Sequence, residues 1–418
     1  MKEKKSKELK NKENEKKDKQ KKDKQNKDKQ NKDKQNKDKA AKKEKAGKGK
    51  KAKDLETRPK TGKRIVLTGG GTAGHVTPNI AMLPRLREMG YEICYIGTYD
   101  GIEKKLIEEV GIPYYGISSG KLRRYFSLKN FSDPFRVMKG FSQAKKLMKE
   151  LHPDVVFSKG GFVSVPVVLA AEKKKIPVVI HESDMTPGLA NKIALPKATR
   201  VCCNFPETAG TFPEGVATVT GTPIREELFH GDAAMGKEFC HFDDSRPVLL
   251  IMGGSSGSAS VNQAIWGALP ELLKDFQVAH ITGQGKADET KKGTPGYIQF
   301  EYVKAELSDL FAAADVVISR AGANAICELL ALHKPNVLIP LPLSQSRGDQ
   351  ILNAKSFEKS GYSKMLEEEK MTKDTLLQAV RDVYTRRDTY ISAMQGSGDD
   401  AKKDSITMIT EIIDSLVK

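Results

Sequence analysis

From Arg64 onward, short apolar runs of four or five residues alternate with longer stretches in which apolar residues recur every three or four positions, and glycine clusters stand at the joints. Ile65 to Thr68 reads as a buried strand, Gly69 to Gly74 as a loop, and Pro78 to Met89 as a helix. The same order returns at Pro247 to Ile251, followed by a loop of Gly253, Gly254, Ser255, Ser256 and Gly257 and a helix ending near Lys274. A second internal match pairs Asp154 to Gly161 (DVVFSKGG) with Asp315 to Gly322 (DVVISRAG). Each copy runs into a helix containing Leu-Ala (Leu169-Ala170, Leu330-Ala331) and then an apolar strand (Ile176 to Ile180, Lys334 to Ile339). Strands and helices alternating at this spacing form parallel sheets with right-handed crossovers. The pattern therefore predicts an α/β chain with two Rossmann-like parallel-sheet domains facing a cleft. They are expected at 64–222 and 247–390, joined by a linker at 223–246, with a helical segment at 391–418 placed to pack back on the first domain.

The beginning of the chain breaks this pattern. Residues 1–63 are Lys-rich with almost no apolar positions, and Asp18 to Lys39 approximates a five-residue repeat of Asp-Lys-Gln-Asn-Lys type. Such a segment cannot bury enough surface to offset its chain entropy, so a disordered tail is expected there. The tail also accounts for the charge. The chain carries a net +17, and residues 1–63 hold 28 of its 71 Lys and Arg but 12 of its 54 Asp and Glu, which leaves the rest close to neutral. A basic footprint for nucleic acid is thus not written on the fold, and no nucleic-acid partner is expected. Cys94, Cys202, Cys203, Cys240 and Cys327 are odd in number and form no C-x-x-C pair, which argues against a disulfide framework and suits a reducing cytoplasm. No apolar run approaches the ~18 residues of a membrane span, and no hydrophobic stretch of secretory type follows the N-terminus.

A glycine loop at the carboxyl end of a first strand lets backbone N–H groups and a helix N-terminus approach an anion with no Cβ in the way. Gly69, Gly71 and Gly74 formally satisfy the dinucleotide fingerprint G-x-G-x-x-G. However, Ile93 to Ile96 runs into Gly97-Thr98 and not into the acid that would hold a ribose, and Asp100 lies beyond in a loop. A nicotinamide enzyme is therefore disfavoured.

Five segments in order resemble the signatures of the MurG family of N-acetylglucosaminyltransferases, in glycosyltransferase family 28. They are Thr68 to Pro78 (TGGGTAGHVTP), His181 to Lys192 (HESDMTPGLANK), Gly221 to Arg225 (GTPIR), Gly253 to Ser255 (GGS) and Ser319 to Ala323 (SRAGA). The resemblance spans Arg64 to Lys418, and the tail is an addition to it. It implies a GT-B fold and inverting transfer of GlcNAc from UDP-GlcNAc to the C4 hydroxyl of lipid I, an undecaprenyl-diphospho-MurNAc-peptide, forming lipid II for peptidoglycan synthesis and hence for cell shape and division. It implies no cofactor or essential metal, a peripheral position on the cytoplasmic face of the plasma membrane, and other cell-wall synthesis proteins among the partners. The nearest rival is a GT-B transferase acting on a lipid such as diacylglycerol, against which the first two segments count.

Carried over by the resemblance, Thr72, Ala73, Gly74, Arg225, Ser255, Val303, Ala323, Glu328, Asp349 and Gln350 belong to the donor site. Within it, Arg225 and Ser255 stabilise the leaving UDP where other transferases use a cation. Glu328 receives the ribose hydroxyls, the Val303 backbone meets the uracil, and Asp349 and Gln350 meet the sugar. Gly71, His75, Glu182 and Asn191 face the acceptor. The general base is either His75, whose ordinary pKa of ~6.5 suits the task, or Asp184. Each assignment has a plainer reading. Arg225 could form a surface ion pair, Glu328 could complement a helix dipole, and His75 could bond only to loop backbone. Asp184 could close a loop before Thr186 and Pro187, read as N-cap and first helical residue. Lys121, Arg123, Arg124, Tyr125, Phe126, Leu128 and Phe131 interleave basic and apolar groups where the family docks on anionic membrane, although an amphipathic helix on the first domain would look similar.

Overall fold

The computed structural model describes residues 62–120, 133–254, 257–396 and 404–417. Residues 1–61 of the expected tail, Ser255 and the segment Lys121 to Phe131 lie outside the described residues. Seven strands form the first sheet: β1 (Arg64–Thr68), β2 (Glu92–Thr98), β3 (Tyr114–Ile117), β4 (Val155–Ser158), β5 (Val178–Glu182), β6 (Arg200–Cys203) and β7 (Ala217–Val219). Six form the second: β8 (Val248–Met252), β9 (Gln277–Ile281), β10 (Tyr297–Phe300), β11 (Val316–Ser319), β12 (Asn336–Leu338) and β13 (Lys364–Met365). Their orders are β3-β2-β1-β4-β5-β6-β7 and β10-β9-β8-β11-β12-β13, and every pairing is parallel. Helices cover both faces, so central strands such as Val155–Ser158 and Val316–Ser319 are buried at every position. That double burial is why they read as unbroken apolar runs.

The expected two-sheet α/β architecture is the one observed, with local differences. The helix expected from Pro78 to Met89 is two short helices, Thr77–Ala81 and Leu83–Glu88. Pro84 opens the second, where its missing N–H is tolerated. The helix expected at Thr186-Pro187 begins instead at Leu189, with Gly188 in the N-cap position. Residues 184–187 are occupied elsewhere, since the Met185 N–H donates to Asn353 Oδ1 of the second sheet's helices at 3.2 Å.

Between the sheets, the helix Ala233–Cys240 lies against the helix Leu307–Ala313, so closely that a Cβ on Gly236 would collide with the Asp309 carbonyl. The helix Arg387–Gly396 contributes Tyr390 and Met394 to the core of the second sheet. The chain then returns to the first, where the helix Ser405–Asp414 buries Ile409 and Ile413 among Ile65, Leu67 and Leu86. Asp414 Oδ1 accepts from Lys63 Nζ at 2.5 Å and from the Tyr91 hydroxyl at 2.8 Å, fixing that return.

The second core contains one ionisable network. His280 on β9 is fully buried, its Nε2–H directed at Asn262 Oδ1 (3.1 Å) and its Nδ1 at the Tyr297 hydroxyl (3.1 Å), which also receives Trp266 Nε1–H at 2.9 Å. Burial pushes its pKa down to about 3. The folded protein thus stays unprotonated here while the unfolded chain takes up a proton below pH ~6.5, so stability falls by ~1.4 kcal/mol per pH unit from this group as pH drops from ~6.5 toward 3. Thermal denaturation followed from pH 7 to pH 4 is expected to show a falling midpoint, with a shallower fall in His280→Gln; an unchanged slope in that variant would remove His280 from the account.

Candidate active site

In parallel sheets, ligands collect at the carboxyl ends of the strands where the strand order reverses. Here those places lie between β1 and β4 and between β8 and β11. After β1 the backbone runs through Gly69, Gly70 and Gly71 into a 3-10 turn, Ala73–His75. Gly71 has φ +87°, a Cβ on Gly69 would strike the His75 carbonyl, and one on Gly161, in the β4 loop, would strike that of Gly70. Only glycine allows the two loops to lie this close. Beneath them Glu103 is fully buried and accepts from the N–H (3.0 Å) and hydroxyl (2.5 Å) of Thr98 and from the Gly71 N–H (3.3 Å). The acid near the second strand is therefore spent on shaping the loop.

His75 lies half-exposed in this loop with Nδ1 3.0 Å from the Thr72 hydroxyl. Desolvation by the surrounding protein, then the charge of Lys159, lowers its pKa to about 4 against a weaker upward pull from the Gly70 backbone and Glu103, so the imidazole is neutral at neutral pH. Lys159, the residue after β4, is almost completely buried. Its Nζ donates to His181 Nδ1 at 2.8 Å and to the Ser183 hydroxyl, while His181 Nε2–H donates to the Gly221 carbonyl at 2.8 Å. Burial lowers the Lys159 pKa to about 8 and raises that of Glu182 to about 7, and the opposite charges partly offset both. Glu182 receives the Asn191 amide at 2.7 Å and the Asp184 N–H at 3.0 Å.

Across the cleft, Gly253 and Gly254 lead from β8, and Ser258 caps the helix Ala259–Asp275. Arg320, the residue after β11, is buried at the centre. It donates to the Ser258 hydroxyl (2.6 Å) and to the carbonyls of Ile339 (3.1 Å) and Pro340 (3.2 Å), and it pairs with Glu368 at 2.5 Å. The helix Ala323–Ala331 opens after Gly322, which offers no side-chain cap, so its first N–H groups are open to an anion. Glu328, partly exposed on that helix, has its pKa raised by burial and held back by the charge of Arg225. Among the described residues, Arg225 Nε is buried with no hydrogen-bond partner. A buried guanidinium and a carboxyl thus lie near enough for the charge of one to act on the other.

The two halves touch at their loops. Asn324 Nδ2 donates to the Gly74 carbonyl at 2.8 Å, and Asn353 Nδ2 donates to Asp184 Oδ1 at 3.2 Å. Two glycine-loop switch points, an uncapped helix and two buried cations around one cleft suit transfer of a group carried on a phosphate ester.

Comparison with known proteins accords with this geometry. Residues 65–203 match the glycosyltransferase family 28 N-terminal domain, and residues 248–409 match the family 28 C-terminal domain. The chain belongs to glycosyltransferase family 28. It is 65% identical over 351 residues, 84% of its length and 98% of the relative's, to the UDP-N-acetylglucosamine–N-acetylmuramyl-(pentapeptide) pyrophosphoryl-undecaprenol N-acetylglucosamine transferase of Lachnospira eligens. It is 56% identical over 356 residues to the protein of the same name from Clostridium botulinum, covering 85% of this chain and 100% of that one. Among solved structures it superposes on the Acinetobacter baumannii MurG crystal structure with a TM-score of 0.68 at 27% identity, over 84% of this chain and 99% of that one.

Against this family 28 framework, the sequence-predicted residues fall into three groups. Gly71, Thr72, Ala73, Gly74 and His75 lie in the first glycine loop, Arg225 holds the N-cap position of the 3-10 turn Glu226–His230, Ala323 opens and Glu328 stands midway along the helix Ala323–Ala331, and Asp349 and Gln350 begin the helix Asp349–Lys359, where Gln350 accepts the Leu341 N–H at 3.1 Å. Val303 is buried in the second core beside exposed Tyr302. Glu182 and Asn191 are buried and bonded to each other behind the first loop. Sequence reasoning missed Glu103, Lys159, Arg320, Asn324, Arg347 and Asn353. For Lys159 and Arg320 a signal existed, because the internal match places a basic residue directly after the strand in both halves.

Proposed function

We propose that this chain transfers GlcNAc from UDP-GlcNAc, with inversion, to the C4 hydroxyl of undecaprenyl-diphospho-MurNAc-peptide, producing lipid II. The observation that carries this reading is the pairing of two anion-accepting switch points across one cleft in a chain 56% to 65% identical to transferases of that name. The first half takes the acceptor and the second takes the donor. UDP leaves against the open N-terminus of the helix Ala323–Ala331, and the Arg225 guanidinium neutralises the charge that grows on the diphosphate as the anomeric C–O bond breaks. Glu328 accepts the ribose hydroxyls, and Asp349 and Gln350 hold the sugar. The C4 hydroxyl attacks from the opposite face and gives its proton to a base.

We assign that base to His75. Its imidazole is kept neutral by partial desolvation in the loop and by the charge of Lys159, whereas both carboxylate oxygens of Asp184 already face Asn353 and Arg347. His75→Ala is expected to lower kcat by ~10²- to 10⁴-fold with little change in melting temperature. Asp184→Asn is the comparison, and loss of the proton-transfer rate in that variant alone would reverse the assignment. The activity itself is tested by incubating labelled UDP-GlcNAc and other UDP-sugars with lipid I and with diacylglycerol. Product from diacylglycerol but not from lipid I would replace this reading with that of a glycolipid synthase.

The acceptor lies in a membrane, yet among the described residues no helix is long and apolar enough to cross one. We place the docking surface at the start of the helix Asp133–Leu151, where Phe135 and Met138 are 75% and 69% exposed beside exposed Arg136 and Lys139. Exposed aromatic and thioether groups next to cations suit the headgroup boundary of an anionic leaflet, the cytoplasmic one. Phe135→Ser with Met138→Ser is expected to cut sedimentation with anionic vesicles by about tenfold or more while leaving UDP affinity alone, since each buried large apolar side chain is worth ~1.5 to 3 kcal/mol. Vesicle binding equal to the parent's would move docking to another surface.

A further inference from the structure

Asp184 stands in the first half of the chain, yet among the described residues the side chains that hold its carboxylate come from the second. Oδ1 accepts from the Asn353 amide at 3.2 Å, and Oδ2 lies 3.7 Å from an Arg347 NH2 group. Asn353 is fully buried and ties the same place down twice more, accepting the Met185 N–H at 3.2 Å and donating to the Ala321 carbonyl at 3.2 Å, just before the donor helix opens. Arg347 is shared between two acids. Its Nε lies 3.1 Å from Oδ1 of Asp349, which begins the helix Asp349–Lys359 and precedes Gln350. One guanidinium thus bridges a carboxylate at the sugar end of the donor site and a carboxylate in the loop that walls the acceptor side.

We propose that Arg347 is a positioning residue of the transfer reaction, acting through Asp184: it joins the sugar-binding end of the donor site to the acceptor loop Ser183 to Gly188, so that the acceptor site takes its working shape when the hexose is bound. The inference rests on the transferase reading. A guanidinium suits this task because its planar fork can serve two acceptors along different edges, whereas an ammonium is a single point charge. Without it Asp184 and Asp349 oppose each other as like charges across the cleft, which favours an open mouth. The nucleotide end, built from Arg225, Glu328 and the helix Ala323–Ala331, does not depend on Arg347.

The test is a double-mutant cycle on the full chain with UDP-GlcNAc and lipid I, accompanied by calorimetry with UDP alone, which lacks the sugar. Arg347→Met is expected to lower kcat by at least about tenfold, as misplacing a positioning group does, while UDP affinity stays within about twofold. Arg347→Lys recovers part of the rate. Because Asp184→Asn removes both the partner and the repulsion, adding Arg347→Met to it costs little more, and the double variant resembles the poorer single one. Losses that multiply in the double variant overturn the proposal, as does full kcat in Arg347→Met, as does UDP binding weakened as much as kcat. A parent chain that yields no product from lipid I sinks the transferase reading first and this inference with it.

Discussion

Two buried cations, Lys159 and Arg320, occupy one place in two copies of one pattern: the first residue after the crossover strand, beside the glycine loop of the strand that precedes it in space. Their exposures are 2% and 6%. Taking a charge this far out of water costs several kcal/mol unless protein groups replace its hydration. The loops on either side are shaped by that demand. His181, Ser183 and the nearby acids Glu182 and Asp184 answer Lys159; Ser258, two carbonyls beyond β12 and Glu368 answer Arg320. Each switch point thus carries a buried, hydrogen-bonded cation, which at Arg320 is also paired with Glu368.

What could be read from the sequence follows the same division. The central strands were legible because burial on both faces leaves an unbroken apolar run, and the glycine loops were legible because close backbone approach excludes any Cβ. The two parallel sheets follow from those two signals, whereas the residues assigned to the donor site were carried over from the family resemblance. Glu103 was not legible. In the segment Ile102–Glu109 it looks like one more acid on a charged helix, and only the Thr98 and Gly71 groups, brought to it by folding, explain its burial. Asn353 and Arg347 were hidden for a stronger reason, since their partners in the first half, Asp184 and Met185, lie more than 160 positions away in the chain. The late start of the helix at Leu189 belongs here too, because the Met185 N–H that local preference would direct to a helix turn is claimed by the opposite half.

The contacts between the halves are of two kinds. Phe205, from the loop after β6, packs edge-on against Phe357 and joins the second core together with part of Met185. At the loop tips the contacts are polar: Asn324 with Gly74, Asn353 with Asp184 and Met185, Arg347 with Asp184. Apolar packing of this sort loses its worth if it is pulled apart in water, whereas a hydrogen bond exchanged for water changes stability by only ~0.5 to 1.5 kcal/mol.

These two kinds of contact differ in what it costs to break them. The helix Ser405–Asp414, carrying Ile409 and Ile413 into the first core, ties the end of the chain to the half opposite the one it has just left, so the two sheets cannot separate freely. With the Phe205 contact, the buried Asn353 beside Asp184 and this returning helix costly to disrupt, the contact of least cost to break is the hydrogen bond of Asn324 to Gly74. That contact joins the loop that carries the His75 imidazole to the uncapped start of the helix Ala323–Ala331, so a small parting there would separate the two glycine-loop ends while leaving both cores intact.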